Sequence, residues 1–383
     1  MTGTPFEVSF WLAAGLLAYA YVVFPAIVLA AGKIMAGNSE PPAIPSWPDV
    51  AVVIAAFNEE KHIVERVRNV LDQDYPADRL TLLVGSDGSS DSTVEVARHA
   101  GNERVRIRAF ARNRGKASVL NDLVSEVRHG VIVFSDANTS FEPDTIKHLV
   151  ARFADAEVGA VCGELVLTLP AKARNEDHKY WQLERKLKAA ESDIDGLLGA
   201  NGGVYAIRRE LYEPLKHGTI CDDFVIVMNV AAAGRRVVYE PKARAHEETP
   251  TDMAAEFWRR VRIGVGNYQI LFGYPSFLTS TNWPRRWTYV SHKVLRWITP
   301  HLLLVMLVAS AIAMPRQPYG LLFAAQVVAL SAAWIVYATR QAVPWPGILR
   351  LPSLFLVVNL AFAIAFVRFL RGGDTGGWRR TER

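Results

Sequence analysis

The chain reads as an α/β domain set between apolar helices, and three observations predict it. The stretch Val50 to Glu60 opens on a continuous apolar run, with the β-formers Val52, Val53 and Ile54, that stops at Asn58. Unbroken apolarity, as opposed to alternation, marks a strand buried on both faces of a parallel sheet. After it, strand-like and helix-like segments alternate, with polar residues at successive strand ends, the pattern of a doubly wound sheet. Finally, half of the 383 residues are hydrophobic and the mean hydropathy is +0.11, while several long stretches carry no charge at all.

Those stretches set the boundaries. Val8 to Gly32 is uncharged and long enough to span a bilayer as a helix. It is too long for a signal-peptide core, and no small-residue cleavage site follows. Trp297 to Pro315 and Gln317 to Thr339 are also uncharged, and Leu351 to Val367 is a shorter stretch between Arg350 and Arg368. The expected organisation is a membrane helix over 8–32, a globular domain over 45–278 entered through the Pro-rich linker Glu40 to Pro48, an interfacial helix over 279–296, a membrane region over 297–371 and a basic tail over 372–383. In the interfacial segment Arg285, Arg286, Lys293 and Arg296 mingle with Trp283, Trp287, Tyr289 and Trp297, as in a helix lying at lipid headgroups. A nucleic-acid patch is the competing reading; the adjoining membrane segment speaks against it. Cys162 and Cys221 lack metal-ligand spacing and read as reduced core residues.

Within the domain, Asn58 suits a helix N-cap, and Glu59 and Glu60 suit the first turn of that helix. A helix over Lys61 to Leu71 follows, then a strand over Leu80 to Gly85 ending in Ser86-Asp87-Gly88-Ser89. Next come a helix over Ser92 to Ala100, a strand over Val105 to Phe110, the basic turn Asn113 to Lys116, and a strand over Val131 to Phe134 ending in Ser135-Asp136-Ala137-Asn138. A parallel sheet brings all carboxyl ends to one edge, so Asn58, Glu59, Asp87, Lys116 and Asp136 converge on one crevice. Those are the parts a nucleotide diphosphate needs: a cation near the phosphates, acceptors for ribose hydroxyls and base N–H, and carboxylates for a divalent metal. The residues after the first strand contain no Gly-x-Gly-x-x-Gly, and no P-loop is present, which removes both of those nucleotide sites. Further on, Glu176 to Glu191 reads as an amphipathic helix, Gly199 to Gly203 as a flexible loop before the strand-like Val204 to Ile207, and Asp222-Asp223 opens an apolar helix. Paired carboxylates there suit the helix dipole and, equally, a general base.

In this order the residues resemble the inverting glycosyltransferases of family 2, the group of the cellulose, chitin and hyaluronan synthases. The resemblance covers roughly residues 48 to 275. It implies a GT-A type nucleotide-sugar-binding domain flanked by transmembrane helices, with Mg²⁺ or Mn²⁺ as cofactor. Ala56, Asn58 and Glu59 stand in the family's opening motif around uracil and ribose. Asp87 matches the second Asp of Asp-Asp-Gly-Ser, whose first is Ser86 here, and Lys116 matches a basic residue near the nucleotide. Asp136 matches the first Asp of the metal-holding Asp-x-Asp; Asn138 replaces the second, and His246 is a candidate to compensate, with an ordinary surface or core histidine as the competing reading. Gly202 belongs to an acceptor-side loop. Cys221-Asp222-Asp223 aligns with Thr-Glu-Asp, which makes Asp223 the catalytic base and Asp222 an acceptor-side residue. Where processive synthases carry Gln-x-x-Arg-Trp, this chain has Arg259, Arg262 and Ile263. Arg262 is kept and the acceptor-stacking indole is lost, which argues against processive polymerisation. Trp378 looks like the family's tail tryptophan on the acceptor side.

The resemblance therefore implies transfer of a sugar, with inversion, from a UDP-sugar to a lipid-linked or oligosaccharide acceptor. The place would be a multi-pass cell inner membrane protein whose catalytic domain is cytoplasmic. Its partners would be the donor, the acceptor and the lipid bilayer, with no nucleic acid. A processive synthase that secretes its polymer and a non-catalytic scaffold are the alternatives. From Arg368 onward five arginines face Asp374 and Glu382. By the positive-inside rule that tail stays cytosolic, so Leu351 to Val367 is expected as a re-entrant or interfacial helix.

Overall fold

The computed structural model describes residues 4–36, 46–168, 175–248, 253–279, 282–340 and 342–372. Its strands are β1 (Val50–Ala56), β2 (Leu80–Asp87), β3 (Val105–Phe110), β4 (Val131–Asp136), β5 (Thr139–Phe141), β6 (Val158–Thr168), β7 (Tyr205–Arg208) and β8 (Arg236–Glu248). They form one sheet in the order β3-β2-β1-β4-β7-β6-β8-β5. Every residue of β1 is buried. Its side chains alternate, Ala51, Val53 and Ala55 entering one core and Val50, Val52, Ile54 and Ala56 the other. Burying Val52, Val53 and Ile54 contributes about 1.5–3 kcal/mol each.

The first half is doubly wound as expected: β1 pairs in parallel with β2 and β4, and β2 with β3. The second half departs from that. β7 runs antiparallel to β4 and β6, β8 is parallel to β6, and β5 is antiparallel to β8. The sequence reading assigned no strand to β5, β6 or β8. Gly159 and Gly163 interrupt the apolar run of β6, with a register shift after Gly163, and β8 exposes Lys242 and Arg244 beside buried alanines.

The helices are α1 (Pro5–Met35), α2 (Ile63–Leu71), α3 (Thr93–Ala100), α4 (Lys116–Ser125), α5 (Thr145–Ala151), α6 (Asn175–Asp193), α7 (Asp222–Ala232), α8 (Met253–Gly273), α9 (Trp283–Trp297), α10 (Thr299–Ile312), α11 (Tyr319–Thr339) and α12 (Gly347–Leu370). Of these α1, α11 and α12 are long and apolar enough to cross a membrane. Helix α1 continues through a π-turn at Tyr19–Val23. Its first half packs on α10 through Phe10, Ala309 and Ala313. Its second half packs on α6 through Phe24, Val28, Leu187 and Ala190. The approach is closest at Gly32, where a Cβ would stand 2.5 Å from that of Ala190.

Two expectations change. The short apolar helix is α10, with 14 residues, joined to α9 at a 60° bend. Helix α12 runs for 24 residues, about 36 Å at 1.5 Å per residue, and crosses α8 where Gly264 meets Ala365. Leu351 to Val367 is thus long enough to span, which the shorter uncharged stretch concealed, because α12 extends beyond both flanking arginines. Nor do all the cations of α9 face outward. Arg285 is 2% exposed and holds Asp195 through contacts of 2.8 and 3.0 Å, with a third bond to the Ala231 carbonyl at 2.9 Å. Arg296 pairs with Glu184 at 2.9 Å, while Tyr289 and Trp297 enter the domain core. A guanidinium fork inside protein needs carboxylate and carbonyl partners, and the domain supplies them. Arg285→Ala leaves Asp195 with only the Asn282 amide at 2.6 Å and should cost about 2 kcal/mol, discounted for the partial exposure of Asp195. The check is a lowered melting temperature in detergent, with Arg285→Lys recovering only part of the loss.

Candidate active site

The carboxyl ends of β1, β2 and β4 open beside the N-termini of α4 and α7. Asp87 ends β2 and is fully buried. Its two oxygens accept the backbone N–H groups of Arg114 and Gly115, each at 2.8 Å. Gly115 has φ +89°, a conformation glycine adopts without strain, and so Lys116 is delivered at the first turn of α4. Asp87 was expected at the nucleotide; here it holds the loop that presents Lys116.

Asn58 was expected as an N-cap. The helix starts five residues later, at Ile63. Asn58 instead adopts φ +56°, a left-handed conformation its short amide tolerates. Its N–H donates to Ser89 Oγ at 3.0 Å and its side-chain oxygen accepts the Ser90 N–H at 2.8 Å. The Glu59 N–H donates to Thr93 Oγ1 at 2.8 Å. Together these bonds fasten the loop after β1 to the loop after β2, beyond the buried end of Ala56.

Lys116 Nζ lies 2.8 Å from Asp136 Oδ1 and 3.3 Å from Asp222 Oδ2. Burial alone would lower its pKa; the charges of Asp136 and Asp222 outweigh that and raise it, so the amine stays protonated. A Cβ on Gly202 would lie 3.4 Å from Asp223 Oδ2 and 3.8 Å from Asp136 Oδ2. The three carboxylates from β4 and α7 therefore surround one small space, roofed by the glycine loop and braced by one lysine. Burial, then the adjacent Asp222 charge, push the Asp223 carboxyl up to about 6, against the pull of Lys116. Burial raises Asp222 in the same way. A carboxylate poised near 6 is ionised at neutral pH and basic enough to accept a proton.

The residues that would hold a cation are Asp136 and Asn138, whose carboxylate and amide oxygens are hard ligands. Among the described residues, no three His, Cys, Asp or Glu side chains gather as a metal site. One or two protein oxygens suffice where substrate phosphates complete the coordination shell, so the donor set fits Mg²⁺ or Mn²⁺. His246 is not brought to it. Its Nε2 meets Glu142 Oε1 at 3.0 Å. Residues alternate across a strand, so His246 faces away from Glu247, whose carboxylate is the one that meets Asn138 at 3.4 Å. On α8, Arg259 is held by Glu256 at 2.7 and 3.2 Å, while Arg262 is exposed; burial, then the Asp223 charge, raise the pKa of the Cys221 thiol, and Arg262 only partly opposes them. Trp378 lies outside the described residues. Sequence reasoning missed Glu247; the only signal for it was its place in a strand that was itself not recognised.

The model of the family described as glycosyltransferase like family 2 matches residues 48–266. The chain belongs to that family. As a family 2 glycosyltransferase it is an enzyme of the GT-A fold. An N-acetylglucosaminyltransferase of Mesorhizobium japonicum is 25% identical over 59% of this chain and 57% of that protein. A poly-beta-1,6-N-acetyl-D-glucosamine synthase of Staphylococcus epidermidis is 22% identical over 58% and 55%. This glycosyltransferase thus spans little more than half the length of these relatives. Its fold also matches a solved mannosyltransferase of Pyrobaculum calidifontis in complex with GDP-Man and Mn²⁺, with a TM-score of 0.71, 21% identity, 96% of this chain covered and 100% of the other.

Proposed function

We propose that this glycosyltransferase moves a sugar, with inversion, from a UDP-sugar to a lipid-linked or growing saccharide acceptor at a membrane. The observation that carries the reading is the grouping of Asp136, Asp222 and Asp223 around Lys116. Asp223 takes the proton of an acceptor hydroxyl. That oxygen forms its bond to the anomeric carbon from the face opposite the nucleotide, and the bond to the diphosphate oxygen breaks. Lys116 offsets the charge that develops on the leaving diphosphate. A divalent cation held by Asp136 and Asn138 would add to that neutralisation. Asp222 and Gly202 border the acceptor, with Arg262 of α8 toward a phosphate of a lipid carrier; Ala56 and Glu59 line the nucleotide end. Exposed apolar helices support a multi-pass protein of the inner membrane, with the catalytic domain in the cytoplasm, where nucleotide sugars are made.

Two relatives act on N-acetylglucosamine by name, and the solved neighbour carries GDP-Man. A donor panel with membranes present therefore compares UDP-N-acetylglucosamine with GDP-mannose. Nucleotide release and product from the UDP donor, lost with EDTA and restored by Mn²⁺ or Mg²⁺, is expected. Turnover undiminished by EDTA overturns the metal reading, and turnover of GDP-mannose alone overturns the uridine one. A processive synthase is the second reading; Ile263 in place of an aromatic favours short products, and product length on a gel decides.

A further inference from the structure

Asn138 stands where a carboxylate would normally bind the cation, and an amide is a weaker and less directional ligand because it can flip. We propose that Glu247 compensates as a positioning residue: it locks the Asn138 amide so that its carbonyl oxygen faces the cation beside Asp136. The inference rests on the metal reading above and concerns how the site keeps its affinity.

Three observations carry it. Asn138 Nδ2 lies 3.4 Å from Glu247 Oε1. An ionised carboxylate only accepts hydrogen bonds, so the amide nitrogen must face Glu247 and the amide oxygen must face away. Secondly, strand register holds Glu247 in place, since it pairs with Thr139 across the β5–β8 ladder, one residue beyond Asn138. Thr139 is 2% exposed, and its Oγ1 would stand 2.8 Å from a Cβ on Gly203, next to Gly202, where an added Cβ would face Asp223 and Asp136. Glu247 is thus fixed at the rim of the cation site by backbone pairing. Thirdly, burial lowers the pKa of the Arg259 guanidinium on α8, and Glu256, with a smaller share from Glu247, outweighs it, which puts Glu247 within electrostatic reach of that helix. Outer partners of this kind change metal affinity by about 10- to 100-fold when removed.

The test is Mn²⁺ binding in the presence of UDP, read as free Mn²⁺ by electron paramagnetic resonance, with no sugar transfer required. Glu247→Gln should weaken the Mn²⁺ Kd about tenfold. If Glu247 acts through Asn138, the double variant Asn138→Ala with Glu247→Gln should bind no more weakly than Asn138→Ala alone, a non-additivity that a simple through-space charge effect would not produce. Melting temperatures in metal-free buffer report whether each variant is folded. An unchanged Kd in Glu247→Gln, or fully additive losses in the double variant, overturns the proposal. Asp136→Asn separates the two levels. If it loses Mn²⁺ while Glu247→Gln does not, only the role of Glu247 falls; if it binds Mn²⁺ as well as the parent, the metal reading falls and Glu247 with it.

Discussion

Asp223→Asn should lower kcat by about a thousandfold while leaving donor binding within a few-fold of the parent. Transfer needs a base on the acceptor hydroxyl, and general-base contributions run from about 10² to 10⁴. The substitution preserves size and the contact with the Phe224 N–H at 2.9 Å, so helix α7 should keep its start. The parent enzyme also has a pH signature. With Asp223 at about 6, the base is protonated and idle below that value. Activity should therefore fall roughly tenfold per pH unit on the acid side of 6 and flatten above it. Near-parent turnover in the variant, or a rate with no acid limb, would remove Asp223 from the reaction. The comparison requires nucleotide binding measured separately, for example by fluorescence displacement, so that loss of chemistry is not confused with loss of donor.

The second large effect is expected from Lys116→Met. The side chain keeps its length and loses its charge, leaving Asp136 and Asp222 without the amine that now sits 2.8 and 3.3 Å from them. Charge developing on the leaving diphosphate then lacks a fixed cation, which costs about 10²- to 10³-fold in kcat by analogy with removal of one oxyanion donor. The same change should move the acid limb to higher pH. Lys116 lowers the pKa of Asp223 against burial and the Asp222 charge; without it the base holds its proton more tightly. A variant with reduced kcat and an unmoved acid limb would place Lys116 at the diphosphate alone. A variant with parental kcat would remove it from catalysis.

The residues that line this crevice were easier to pick out along the chain than the strand pairing of the sheet's second half, for a physical reason. Asp136 ends a strand, and Lys116 and Asp223 open helices, so their motifs are short and readable along the chain. What the chain does not announce is pairing at a distance. β6 and β8 join across 78 residues at Val158 and Arg236, and nothing local says so. With β8 unrecognised, Glu247 had no neighbour to be matched with, and His246 was chosen on ligand type although alternation turns it toward Glu142. Asp87 was expected at the nucleotide, and what the structure gives it is two backbone amides whose direction depends on the φ of Gly115. Arg285 and Arg296 were read from composition as headgroup contacts, and the carboxylates that capture them lie roughly 90 to 110 residues away.

The contact at Gly32 leaves no room for even one methyl group between α1 and α6. Seated that closely, the sugar-transfer crevice has little freedom to rise or sink relative to the apolar helices. If the acceptor is lipid-linked, as proposed above, a difference in reach between acceptors would be taken up by the carrier chain, and a bulky residue at position 32 should shift which carrier lengths are accepted before it alters the chemistry.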